Sequence, residues 1–132
     1  MVFKWAAVLI GLSILGAANA QRLLIPEVTA PADLKNIHVV KIASDPHSSD
    51  FVIFVKHQVP LHKHESHSES LYVLEGAGQF QLGEETFNIS PGDYIKIPEG
   101  MPHSVKVLSP EPLKVISIQA PEFFGKDRIA VK

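Results

Sequence analysis

An all-β sandwich or barrel is the architecture that this 132-residue chain predicts, on three observations. Short runs rich in β-branched and aromatic residues recur along it. Turn-forming residues separate those runs at close spacing. No window holds a 3.6-residue apolar period long enough for a helix.

The first twenty residues are of another kind. Lys4 supplies a positive charge, 5–16 is apolar apart from Ser13, and Ala18-Asn19-Ala20 puts small residues where a signal peptidase reads. This order describes a secretory signal, residues 1–20, cut before Gln21. The apolar run is short for a bilayer span of about 20 residues, and no basic cluster follows it to stop transfer. Residues 21–36, with Pro26 and Pro31, suit neither helix nor sheet and are expected to lie as an arm on the domain.

The strand signals begin at Ile37 and continue to Ala120. Runs 37–42 and 51–56 flank the turn cluster Ser44-Asp45-Pro46. Run 69–74 leads into Gly76-Ala77-Gly78, and 79–82 and 86–89 alternate polar with apolar residues about a Gly83-Glu84 hairpin turn. Pro91-Gly92-Asp93 and Pro98-Glu99-Gly100 are turns on either side of 94–97, and 103–108 and 113–119 close the series. Residues 121–132 hold Phe123, Phe124 and Ile129 around Asp127-Arg128 and are expected to pack on the barrel or on a partner, with both phenylalanines buried.

Composition excludes several classes of function. The length allows one domain. A net charge of −2 gives no electrostatic case for a nucleic-acid partner. The absence of cysteine removes disulfides, thiolate metal sites, iron–sulfur clusters and cysteine nucleophiles. Beyond the signal no stretch is long enough to span a bilayer, so no stable membrane insertion is expected after cleavage. Export without cysteine fits a bacterial periplasm or the cell exterior.

Chemistry concentrates in the histidines: five of the seven lie between His47 and His67. His62 and His64 are two apart, which on an extended strand puts both imidazoles on one face. Glu69 has the parity of Leu71 and Val73 and should point inward with them. His103 shares the parity of Val105 and Val107. A buried carboxylate is costly unless it is paired or bound to a cation, and three imidazoles with one carboxylate form a ligand set for a single divalent transition metal: iron, manganese, nickel, cobalt or zinc. Lys63 should point away. His67 is expected at the solvent-exposed loop rim, as a reserve acid/base titrating near neutral pH. His38, His47 and His57 are expected to have no chemistry.

These residues resemble the two motifs of the cupins. His62-Lys63-His64, four residues, Glu69, six residues and Gly76 match the first. Gly92, five residues, Pro98-Glu99-Gly100, two residues and His103 match the second, only fifteen residues further on. Lys56 and Val107 depart from the pattern at positions that are not ligands in the family. The resemblance implies a single jelly-roll β-barrel, the cupin double-stranded β-helix, over 37–120. It also implies a metal inside, held by His62, His64, Glu69 and His103.

Three functions from different classes fit such a chain. One is a metalloenzyme of dioxygenase or lyase/isomerase type acting on a small oxygenated molecule, with Glu69 and His67 as its acid/base groups. A second is a non-catalytic periplasmic module for a sugar or organic acid, and a third is a metal-holding or partner-binding domain. The partner expected is a small molecule, with room for a homodimer. Phe80, Phe87, Tyr94 and Ile97 are expected to line the pocket.

Overall fold

The computed structural model describes residues 21–132, so the expected signal segment lies outside the described residues. Ten strands follow one 3-10 turn, Ile25–Glu27. They are β1 (Ile37–Asp45), β2 (Ser48–Val55), β3 (Gln58–Lys63), β4 (Ser68–Glu75), β5 (Gly78–Leu82), β6 (Glu85–Ile89), β7 (Tyr94–Ile97), β8 (His103–Val107), β9 (Leu113–Ala120) and β10 (Ile129–Ala130). They form two antiparallel five-stranded sheets, ordered β1-β2-β9-β4-β7 and β10-β3-β8-β5-β6. This is the expected all-β jelly-roll. Two strands were not evident in the pattern: β3, which carries the His-x-His segment, and β10 in the tail. Among the described residues no helix is long and apolar enough to cross a membrane.

Local chemistry explains the connections. Asp45 pairs with Ser48 across a two-residue turn, and its Oδ1 accepts hydrogen bonds from the backbone N–H of His47 and Ser48, an Asx arrangement that favours the reversal. Leu82 pairs with Glu85 about Gly83-Glu84, as expected. Gly76 leaves β4 at φ +79°, and a Cβ there would come within 2.7 Å of the Pro112 carbonyl, so only glycine lets this turn close on the start of β9.

Between the sheets, Val73, Ile97 and Leu113 are almost wholly buried with Phe80, Ile89, Ile95 and Val115 around them. Each such side chain contributes about 1.5–3 kcal/mol by leaving water. The β2 run is apolar on both faces for a reason the sequence pattern alone does not give. Phe51, Ile53 and Val55 face the barrel interior, while Val52 and Phe54 lie on the outer face beneath residues 21–36. There Leu34, Val52 and Phe54 make a second small core with Ile25 and Val28. Lys114 is buried under the same arm, where its Nζ donates to the Ile25 carbonyl at 2.9 Å and lies over the Phe54 ring. The arm is thus a working part of the fold, because it covers an otherwise bare sheet face.

Candidate metal centre

Four of the expected site residues converge, and all four are buried. His62 lies near the end of β3, His64 one residue past it, and His103 opens β8 directly across from His62. Glu69 reaches in from β4 in the other sheet, where its inward parity with Leu71 and Val73 holds. The donor atoms of the three imidazoles lie within 4.8 Å of one another.

The decisive feature is the tautomer of each ring. Nδ1 of His62 is 2.8 Å from the Pro60 carbonyl, Nδ1 of His103 is 3.0 Å from the Met101 carbonyl, and Nδ1 of His64 is 2.5 Å from the Asp127 carbonyl. A carbonyl only accepts, so each Nδ1 carries the hydrogen and each Nε2 keeps its lone pair when the ring is neutral. The three lone pairs then face one space. Such carbonyl contacts orient histidines for metal binding. Nε2 of His64 and of His103 are buried without a hydrogen-bond partner. Both lie close to Glu69 Oε2, at 3.4 and 3.2 Å, but are not aligned to donate to it. Two orphaned buried nitrogens beside a buried carboxylate are what a cation would satisfy, so the residues present fit a divalent metal.

The electrostatics agree with that fit. Burial pushes the His62 imidazole down to about 4, with His103, Arg128 and His64 adding repulsion, so it is neutral and ready to coordinate. Burial works against a charge on His64 too. There the adjoining Glu69 carboxylate and the Asp127 carbonyl outweigh it and raise its pKa. Burial alone would raise Glu69, yet its contacts with His103, His64 and Ser117 hold it well below the usual carboxylate range. Ser117 Oγ donates to Glu69 Oε1 at 2.5 Å, fixing the carboxylate from the side away from the histidines.

The tail completes the centre. Ile129 and Ala130 pair with Lys63 and His62, so β10 adds an edge beside the His-x-His segment. Asp127 ties this edge down. Its carboxylate accepts from the backbone N–H of Glu65 and Ser66, at 2.9 and 2.8 Å, and from His67 Nδ1 at 2.5 Å. Burial notwithstanding, these three donors lower Asp127 to about 2. On the other motif, Gly100, at φ +75°, donates its N–H to the His64 carbonyl at 2.7 Å and so couples the turn before His103 to the His-x-His segment.

Three expectations change here. His67 is not in solvent at the rim: its side chain is 12% exposed and both ring nitrogens are engaged, Nδ1 with Asp127 and Nε2 with the Glu122 carbonyl at 2.9 Å. The tail, expected to pack on the barrel, covers it. Phe123 and Phe124 part company. Phe123 is half-buried edge-on to Phe51, His64 and His67, whereas Phe124 is 72% exposed. The pocket is also lined differently. Tyr94 is 62% exposed on the outer face, since Ile95 and Ile97 take the inward positions of β7. Phe80, Phe87 and Ile97 lie in or against the apolar core. The cavity of about 520 Å³ in front of the histidines is walled instead by residues such as Phe51, Ile53, Val55, Leu71, Val105 and Val115.

Four further residues at the centre and its cavity are not evident in the sequence: Ser117, Gln119, Asp127 and Arg128. A signal existed for two of them. Ser117 and Gln119 share the inward parity of Leu113 and Val115 on β9, and polar residues at buried strand positions mark a site. Asp127 and Arg128 gave none, because only the long-range pairing of β10 with β3 brings them there.

Because Asp127 holds the 64–67 loop, Asp127→Ala is expected to weaken metal affinity about tenfold, within the range for losing an outer-sphere partner. Calorimetric titration with Mn²⁺ or Zn²⁺ reads this. Unchanged affinity and melting temperature would show the tail to be a bystander.

A family model described as Cupin domain matches residues 51–119. An uncharacterized protein of Aquifex aeolicus is 31% identical over 99 residues, 75% of this chain and 81% of that protein. Quercetin 2,3-dioxygenase of Bacillus subtilis is 40% identical over 50 residues, which are 38% of this chain and only 15% of the dioxygenase. Among solved structures, KdgF from a Halomonas species superposes with a TM-score of 0.70 at 23% identity, over 80% of this chain and 97% of that one.

Proposed function

The chain belongs to the cupin family, and on that footing we propose that it is an exported metalloenzyme of dioxygenase or lyase/isomerase type acting on a small oxygenated molecule. The observation that carries this reading is the trio of fixed Nε2 lone pairs, with Glu69 beside them, at the wall of a cavity large enough for a small molecule. His62, His64 and His103 would hold the metal, with Glu69 as a fourth ligand. Bound there, a divalent metal supplies Lewis-acid polarisation of a substrate oxygen. The protein's own groups do the rest. The apolar walls exclude water, the backbone carbonyls keep the imidazoles in one tautomer, and Glu69, braced by Ser117, takes a proton from a substrate hydroxyl brought beside it. His67 serves this site through the tail: it holds Asp127, whose carbonyl orients His64. The segment shared with quercetin 2,3-dioxygenase supports the oxidative version of the chemistry.

Elemental analysis of protein purified without an affinity tag should find about one equivalent of a transition metal, and oxygen uptake or product formation should follow with an enol, diketone, catechol-like phenol or hydroxy acid. Metal and ligand binding without turnover in any class would replace the enzyme by a binding module. A chain with no metal, and no heat stabilisation by manganese, iron, nickel or zinc, would end both readings.

The location has its own test. The signal pattern of residues 1–20 supports export to the periplasm or beyond. Protein recovered outside the cytoplasm should begin at Gln21 by intact mass. A mass for residues 1–132 in the membrane fraction would make the segment an anchor.

A further inference from the structure

The cavity wall carries two polar groups that the metal centre does not use. Gln119 sits on β9 directly across from Glu69, 5% exposed, and its Oε1 is buried with no hydrogen-bond partner. An unpaired buried acceptor is costly unless something donates to it, and this one lines the cavity. Arg128 lines the same cavity. It lies two residues before Ala130, which pairs with inward-facing His62. Among the described residues no carboxylate lies within ion-pair distance of its guanidinium. The surrounding wall is apolar, with Phe51, Ile53, Leu71 and Val105 among its residues.

A free guanidinium, a buried acceptor beside the carboxylate ligand and an apolar wall ask for one kind of molecule. We propose that the site takes a small hydroxycarboxylic acid with an apolar body, its carboxylate on Arg128, its hydroxyl against Gln119 Oε1 and Glu69, and its carbon skeleton on the aromatic and aliphatic wall. The assignment deepens the enzyme reading above and rests on it for the hydroxyl's approach to the metal. The carboxylate contact stands on Arg128 alone. Arg128 suits this role because its planar fork grips a carboxylate with two parallel hydrogen bonds, stronger than neutral ones. A neutral sugar would gain no charge-assisted pair from the guanidinium, and a plain hydrocarbon acid would leave Gln119 Oε1 unsatisfied.

The test is isothermal titration of the protein as purified with three probes: 3-phenyllactate, its neutral amide, and 3-phenylpropanoate, which lacks the hydroxyl. Phenyllactate is expected to bind about tenfold or more tightly than either of the others, the amide losing the charge-assisted pair and phenylpropanoate losing the hydroxyl donor. Arg128→Gln, at an exposed position, should abolish the preference for acid over amide. Arg128→Lys should restore part of it. Gln119→Leu should abolish the preference for phenyllactate over phenylpropanoate. Equal binding of acid and amide, a preference that survives Arg128→Gln, or no binding of any probe would overturn the proposal. Failure of the enzyme reading looks different: a protein without metal or turnover that still prefers the acid through Arg128.

Discussion

His103→Ala is expected to abolish metal retention. The ring supplies one of three converging Nε2 donors, is held by the Met101 carbonyl, and stacks on Phe80. Losing a mere outer-sphere partner of a ligand costs about 10–100-fold in affinity, so losing the ligand itself should cost at least about 100-fold. Wild-type protein at a metal concentration of 100 times Kd gains about 2.7 kcal/mol of folding stability, and the variant should gain none, which calorimetry reads as a melting temperature that metal no longer raises. The pH dependence of the wild type is a companion readout. His62 is already neutral at pH 7, while His64 favours its proton beside Glu69. A raised histidine pKa stabilises the metal-free fold below the ordinary histidine range, and that contribution fades as pH rises through the folded value. A metal must displace that proton wherever His64 carries it, so affinity should climb with pH and protons should be released on binding. Retention of a full equivalent of metal by His103→Ala would remove the three-histidine centre.

Strand parity makes most of this site legible in the sequence. A two-residue period puts His62 with His64, Glu69 with Leu71, and His103 with Val105, and each of those inferences needs only that the segment be extended. The fold class followed from the same period and from turn residues, whose preferences are local. What escaped depends on distance along the chain. β10 is two residues long and owes its existence to pairing with β3 some sixty-five residues earlier, so no local pattern announces it. The positions of Asp127 and Arg128, and the covering of His67, all follow from that one pairing. The double-sided apolar run of β2 was ambiguous for a related reason: a strand buried on both faces does not alternate, and only the arm explains its outer face.

Glu69→Gln separates binding from chemistry. The amide has nearly the shape of the carboxylate and can keep the contact with Ser117, and three imidazoles remain, so most of the metal should stay bound. Proton abstraction cannot survive, because an amide is no base near neutral pH. General-base contributions run to about 10²–10⁴-fold, and turnover should fall by that order while metal content stays near one equivalent. The same residue links the metal-free fold to pH. Its folded pKa lies below the unfolded one of about 4.3, so the stability it contributes is present above that unfolded value and is lost as pH falls toward the folded one. Metal-free Glu69→Gln should therefore lack the part of the acid destabilisation that wild type shows below about pH 4, even where its turnover cannot be measured. Two independent readouts thus converge on one carboxylate. A variant that loses turnover and keeps both its metal and a flattened acid profile has lost the base and nothing else. One that turns over as wild type does would take Glu69 out of the proton transfer and leave it only a role in holding the site.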